Sequence, residues 1–261
     1  MADWALILGS SSGFGEAAAL AFAEAGYNVY GVHLDRKSTL AHVDEVVGSI
    51  KETGGEVEFF NINAADPEKR QEVVQHVAER LKESGEKVRV VMHSLAFGTL
   101  KPYIDPEGKT GLSQRELEMT LDVMANTLVY WVQELVRAGL MGEGGRVFSM
   151  TSTGDNHAWY SYGAVSAAKA ALEAHTRQLA LELAPLGITV NAIRAGVTDT
   201  PALRKIPGHE QMAESAKARN PHGRLTTPGD VARALVALAR PEAQWITGNV
   251  IGVDGGEEIA G

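Results

Sequence analysis

Residues 160–169 read YSYGAVSAAK and place Tyr160, Tyr162 and Lys169 at the head of an alanine-rich run. A phenol donates a hydrogen bond, or a proton, to an oxygen that gains negative charge, and a nearby ammonium makes it a better donor. On a helix seven residues turn about 700°, so Tyr162 comes within about 20° of the face of Lys169, two turns away. Tyr160 lies nine residues before Lys169, about 900° around, and so half a turn off that face. Tyr162 is therefore the preferred catalytic donor and Tyr160 its rival. Ser152 follows an apolar run at 146–150 and reads either as a substrate contact or as a capping serine.

A second constellation lies near the N-terminus. Gly9, Ser10, Ser11, Ser12, Gly13, Phe14 and Gly15 form a G-x3-G-x-G loop between WALIL and an alanine-rich run. Glycines let backbone approach a pyrophosphate, and the helix that follows offers free N–H groups with positive partial charge. Without a ligand the same loop is only a tight strand–helix turn. The second strand ends near His33, counting from Gly26. Dehydrogenases that prefer NAD usually place an acid at this tip. His33 there, with Arg36 and Lys37 just beyond, suits a 2′-phosphate and hence NADP(H). Asp35 is the counter-argument, because it can turn inward and take the ribose diol.

These groups need a scaffold. Apolar runs at 4–8, 27–34, 57–62, 88–93, 146–150, 188–193 and 249–253 read as strands. Helical spacing is seen at 17–25, 43–52, 67–84, 113–140, 160–183 and 228–240. Strands that alternate with helices imply an α/β fold: a Rossmann-like, doubly wound parallel sheet of about seven strands, with helices on both faces. Segments 97–113 and 198–224 break the rhythm with glycines and prolines. They read as irregular loops flanking a substrate mouth, the second as a lid. No linker or repeat divides the chain, so residues 1–261 are expected to form one domain.

Composition narrows the function. There are 24 basic and 33 acidic residues, net −9, and 44% of residues are hydrophobic. An acidic chain argues against nucleic-acid or anionic-membrane partners. The absence of cysteine excludes disulfides, thiol nucleophiles and cysteine metal sites. The eight histidines show no paired-ligand spacing, so no metal is expected. No signal peptide or transmembrane run is visible, which is compatible with a cytoplasmic protein.

The glycine loop, Tyr162 and Lys169, NAIRAG at 191–196 and VDGG at 253–256 together resemble the short-chain dehydrogenase/reductase family. The resemblance spans nearly the whole chain. It implies that Asn63 and Ala64 lie at the adenine and that Ser94, Leu95 and Ala96 lie beside the cofactor. It also implies that Gly196, Val197 and Thr198 hold the carboxamide and phosphates, with backbone groups at Val197, and that Lys169 holds the nicotinamide ribose.

Departures from the family pattern point to one branch. The usual Tyr-x3-Lys has Val165 where the tyrosine would be, and Tyr162 makes Tyr-x6-Lys instead. The usual Asn-Asn-Ala-Gly reads His93-Ser94-Leu95-Ala96. The usual helix asparagine aligns with Met124, while Asn126 points about 200° away. These features resemble the enoyl-acyl-carrier-protein reductases, in particular an NADPH-dependent subgroup with a small hydroxyl at the place of Ser152. The resemblance implies reduction of the C=C bond of a trans-2-enoyl thioester carried by acyl carrier protein or coenzyme A, as in fatty acid synthesis. Carbonyl reduction or alcohol oxidation is the alternative, and a non-catalytic NADP sensor a minor one. Arg204, Lys205, Lys217 and Arg219 read as contacts for the carrier or as solvated charge. The row of alanines after Gly163 implies a homodimer or homotetramer by resemblance, or tight packing within one subunit.

Overall fold

The structure is a computed structural model, and it describes residues 3–155 and 157–260. Met1, Ala2, Asn156 and Gly261, which the expected domain includes, lie outside the described residues.

Seven strands form one sheet: β1 (Trp4–Leu8), β2 (Asn28–His33), β3 (Val57–Asn61), β4 (Val88–His93), β5 (Arg146–Thr151), β6 (Thr189–Ala195) and β7 (Val250–Val253). Their order is β3-β2-β1-β4-β5-β6-β7, and every neighbouring pair is parallel. This is the expected doubly wound Rossmann-like architecture. Parallel strands must be covered on both faces, which is why they read as continuous apolar runs. In β1 alternation divides the side chains between two cores. Trp4, Leu6 and Leu8 join one cluster, and Ala5 and Ile7 the other.

The first cluster packs against α3 (Pro67–Leu81), α5 (Thr127–Arg137) and α6 (Gly163–Leu183). The second packs against α1 (Gly13–Glu24), α2 (Leu40–Glu52) and α8 (Pro228–Ala239). Helix starts follow local chemistry. The Asp66 carboxylate accepts from the N–H groups of Glu68 and Lys69, with Pro67 in the first turn of α3. Ser113 and Glu116 form a capping box for α4 (Gln114–Leu121), and Thr227 with Asp230 does the same for α8.

Three expected boundaries are corrected. The continuous helix at 113–140 is three pieces, because a π-helical turn (Asp122–Asn126) separates α4 from α5. A sequence period cannot distinguish one widened turn from its neighbours. The helix expected from 160 starts at Gly163, because Ser161 has φ +62 and breaks helical geometry just before it. The irregular segment 198–224 contains α7 (His209–Arg219), a helix that buries only Ala216 and therefore has little apolar periodicity to read.

Trp131 ties the layers together. It is fully buried in the first cluster, and its indole N–H donates to Ala64 O at 2.9 Å. Trp131→Ala is expected to lower the unfolding free energy by about 3–5 kcal/mol, read as a shift of the urea midpoint at unchanged m-value.

Candidate active site

β1 and β4 are adjacent, and the chain order runs outward from them in opposite directions. A crevice forms at the carboxyl ends of strands at such a switch point. The glycine loop lies there. Gly9 N donates to Val32 O at 2.8 Å, and Ser94 N donates to Leu8 O at 2.9 Å. A Cβ on Gly9, whose φ is +90, would sit 2.5 Å from Ser94 O, and one on Gly15 would overlap Gly9 O. The backbone is thus packed too closely for side chains. Ser12 occupies the N-cap of α1 without a side-chain bond to the helix, so its first turn keeps N–H groups for an anion.

The β2 end carries the adenosine-side candidates. His33 is buried, and its Nδ1 pairs with Asp35 Oδ2 at 3.0 Å. Thr39 Oγ1 donates to Asp35 Oδ1 at 2.7 Å, and Ser11 of the glycine loop also bonds this carboxylate. Burial pushes the Asp35 carboxyl up. The bonds from Ser11, Thr39 and His33 outweigh it and hold the group below its ordinary value. Arg36 is exposed. Asn63 bends onto its own turn, accepting Ala65 N at 3.1 Å, while Ala64 is buried in the core beneath Trp131. Leu95 is half-buried and Ala96 exposed beyond β4.

The catalytic candidates converge on the end of β5. Lys169 is buried on α6, and its Nζ donates to Met150 O at 2.6 Å. Burial pulls its pKa down from 10.5 to about 8, against the opposing charge of Glu173 one turn along. Tyr162 stands at the N-cap of α6, with φ −96 and ψ 0. Its dihedrals are right-handed and its carbonyl accepts Ser166 N at 2.9 Å, so it keeps the phase of α6 relative to Lys169. Burial pushes the Tyr162 phenol up, and a hydrogen bond with Ser152 opposes this. Gly154 N donates to Ser152 Oγ at 3.3 Å, so the Ser152 O–H is free to point at the phenol oxygen. Tyr160 is 76% exposed, which removes it from this group.

The position of the usual family tyrosine is filled differently. Val165 is buried, and a Cβ on Gly98 would come within 2.9 Å of Val165 Cγ2 and 2.8 Å of both Met124 Sδ and Thr120 Cγ2. Val165 and Met124 therefore form an apolar wall against Gly98. Asn126 Oδ1 pairs with His175 Nε2 at 3.1 Å. His93 is fully buried, with Nε2 at 2.8 Å from Thr127 Oγ1; burial, then the charge of Lys169, pulls its pKa to about 3. His93 is thus neutral and braces α5.

In the loop after β6, Val197 N donates to Glu257 Oε2 at 3.1 Å. Thr198 is buried and its hydroxyl donates to Gly196 O at 2.9 Å. Sequence reasoning missed Thr200. It is buried, and its Cγ2 would lie 3.5 Å from a Cβ on Gly13, so it faces the glycine loop. Its Oγ1 accepts Leu203 N at 3.1 Å, which leaves its proton to donate. The only sequence signal was its place four residues after Gly196. Of the four cations weighed as carrier contacts, Arg204 pairs with Asp199 at 2.7 Å and Arg219 with Glu257 at 3.5 Å, while Lys205 and Lys217 are exposed. The closely packed glycine loop, the unfilled first turn of α1 and the facing Thr200 fit a dinucleotide.

Comparison with known proteins agrees with this geometry. The family model described as enoyl-(acyl carrier protein) reductase matches residues 9–258. The chain is 30% identical over 256 residues to a 1-cyclohexenylcarbonyl-CoA reductase of Streptomyces collinus, covering 97% of this chain and 86% of that one. The solved enoyl-[acyl-carrier-protein] reductase (NADH) of Aquifex aeolicus is 26% identical with a TM-score of 0.83, covering 99% of this chain and 97% of that one. A promiscuous reductase that performs keto-reduction at C1 in lugdunomycin biosynthesis is 32% identical with a TM-score of 0.82, covering 99% of this chain and 98% of that one. No helix among the described residues is long and apolar enough to cross a membrane. A family match running from the first glycine of the phosphate loop to the C-terminal turn closes the question of kinship: the chain belongs to the short-chain dehydrogenase/reductase family and is an NAD(P)-dependent oxidoreductase resembling its enoyl-acyl-carrier-protein reductases.

Proposed function

We propose that the protein reduces the C=C bond of a trans-2-enoyl thioester. The observation that carries this reading is the half-buried Tyr162 close to Ser152, beside an apolar wall of Val165 and Met124 where the family's usual donor would stand. In carbonyl reduction the proton donor serves the oxygen on the carbon that receives hydride. In conjugate reduction that oxygen is two atoms further away, which suits a donor displaced from the usual position.

Bound in the cleft, reduced nicotinamide supplies the hydride that the β-carbon accepts, leaving negative charge on the thioester oxygen. The N–H groups of α1 and the loop Gly9–Gly15 hold the pyrophosphate. Thr198 and Thr200 serve the nicotinamide side, and Lys169 serves its ribose. Tyr162 donates to the thioester oxygen, giving an enol whose tautomerisation puts a proton on the α-carbon and completes the reduction; the Ser152 hydroxyl, turned to the phenol, would lower the cost of giving up its proton. The positive charge of Lys169 favours the same transfer. The outward alanines of α6 (Ala167, Ala170 and Ala174) offer a close-packing face for a homodimer or homotetramer.

A second reading is reduction of a 3-oxoacyl thioester or another ketone. The Ser152–Tyr162 pair favours it, because two hydroxyls can donate to one carbonyl oxygen. Assays with crotonyl and acetoacetyl thioesters, followed at 340 nm, separate the two. The enoyl substrate is expected to turn over, and activity confined to the keto substrate would reject the first reading. Tyr162→Phe is expected to reduce kcat by about 10²–10³; an unchanged rate would remove Tyr162 from the mechanism.

For the cofactor, NADPH is the reading supported by exposed Arg36 and Lys37. NADH is the second, favoured by the Asp35 carboxylate turned onto Ser11 and His33, where it would repel a 2′-phosphate. Arg36→Ala is expected to raise the KM for NADPH about tenfold and leave that for NADH unchanged. If Asp35→Asn instead weakens NADH selectively, the second reading holds.

Lys169 adds a pH dependence. Its folded-state pKa is depressed to about 8, so its charge is complete below that value and lost as pH rises through it. The kcat/KM of the free enzyme is expected to be flat at neutral pH and to fall about tenfold per unit well above pH 8. A flat profile through pH 9.5 would exclude a role for the charged lysine.

A further inference from the structure

Glu257 is 3% exposed, and nothing in the proposed chemistry uses it. Burying a carboxylate is costly unless its oxygens are bonded. Burial pushes this carboxyl up; the Val197 N–H and Arg219 pull against that shift. The chain goes to some length to keep the group there. Gly255 and Gly256 have φ +64 and +84, and Asp254 accepts Gly256 N at 3.0 Å and Glu258 N at 2.9 Å. This tight turn sends Glu257 inward. Gly196 makes room for it, because a Cβ there would lie 2.8 Å from Glu257 Oε2 and overlap Thr226 Oγ1.

The two carboxylate oxygens go to different parts of the site. Oε2 accepts Val197 N, in the loop that carries Thr198 and Thr200. Oε1 faces Arg219, in the last turn of α7. The next residue, Asn220, is buried and donates to Asp254 O at 2.8 Å, which docks the end of α7 on the same turn. At its other end, α7 is preceded by Pro207, whose carbonyl accepts the Trp159 indole N–H at 3.0 Å, three residues before Tyr162. Since α7 buries only Ala216, these polar ties are what fix its two ends.

We propose that Glu257 is a positioning residue that couples the two ligand sites, holding the nicotinamide-side loop with one oxygen and the substrate lid α7 with the other. Cofactor seated against Thr198 and Thr200 steadies the Val197 peptide, Glu257 keeps its orientation, and Arg219 keeps α7 docked. The coupling rests on the reading that a nicotinamide cofactor lies against this loop, and it does not depend on which thioester is reduced.

Amide hydrogen exchange of the full chain, with and without NADH or NADPH, tests this without turnover. In the unmodified protein, cofactor is expected to slow exchange across residues 209–219. In Glu257→Ala that slowing is expected to vanish, with cofactor affinity about tenfold weaker. Glu257→Gln keeps an acceptor for Val197 N–H but loses the charge facing Arg219. It is expected to bind cofactor within about twofold of the unmodified protein, yet to lose the protection of α7, as Arg219→Gln does. The double variant is expected to behave like either single one, because both remove the same tie. Protection of α7 that persists in Glu257→Gln and Arg219→Gln would overturn the coupling. So would a merely structural result, in which the variants lower Tm but leave the cofactor effect on α7 intact. If neither dinucleotide binds the unmodified protein, the cofactor reading itself falls and takes this inference with it, a result distinct from binding without coupling.

Discussion

The ammonium of Lys169 lies inside the protein, and the fold around it is arranged to keep it charged there. A buried cation without partners would lose its proton. Met150 O accepts it directly, and Glu173 supplies opposite charge one turn further along α6. Glu173 is itself held by Thr151 at 2.7 Å and by Arg194 at 3.4 Å, and Arg194 by Glu258 at 2.8 Å. A chain of alternating charge thus runs from the C-terminal turn to the centre of the site. It requires α6 to pack closely on the sheet, which buried Ala164 and Ala168 permit.

The second constraint is closeness of backbone at the β1–β4 switch point. Gly9, Gly15 and Ser94 approach so nearly that side chains on the glycines are excluded. The two constraints meet at the carboxyl edge of the sheet, one preparing an anion site and the other a fixed cation. Ser161 turns the chain sharply just before α6 begins, and Tyr162 stands at the N-cap of that helix. A non-glycine residue at positive φ is uncommon and is retained where the surroundings demand it.

The departures from the family's usual residues form one packing unit rather than separate losses. Val165 replaces a phenol, Met124 an amide, and Gly98 gives up a side chain to admit both. The π-helical turn carries Met124 into this wall and turns Asn126 toward His175. His93 fixes the start of α5 through Thr127, whose own hydroxyl donates to Val123 O at 2.8 Å. Val165, Met124 and Gly98 thus form an apolar surface near Tyr162 and Ser152.

The sequence by itself determined the sheet and its helices, because parallel strands covered on both faces must be apolar and crossover helices must be amphipathic. It also determined the glycine loop, since only glycines satisfy such close backbone approach, and it singled out Tyr162 and Lys169 by type. It could not determine α7, which buries a single alanine, or the π-helical turn, which leaves no period. The choice of Tyr162 over Tyr160 came from counting residues on a helix that starts three residues later than expected; in the fold Tyr160 is exposed and Tyr162 half-buried at the N-cap of α6. Tertiary structure alone decided that Val197 N–H is taken by Glu257, that Thr200 faces Gly13 and that Asp35 turns onto Ser11. These contacts join residues far apart in the chain, so no local pattern encodes them and only the folded arrangement of loops brings them together.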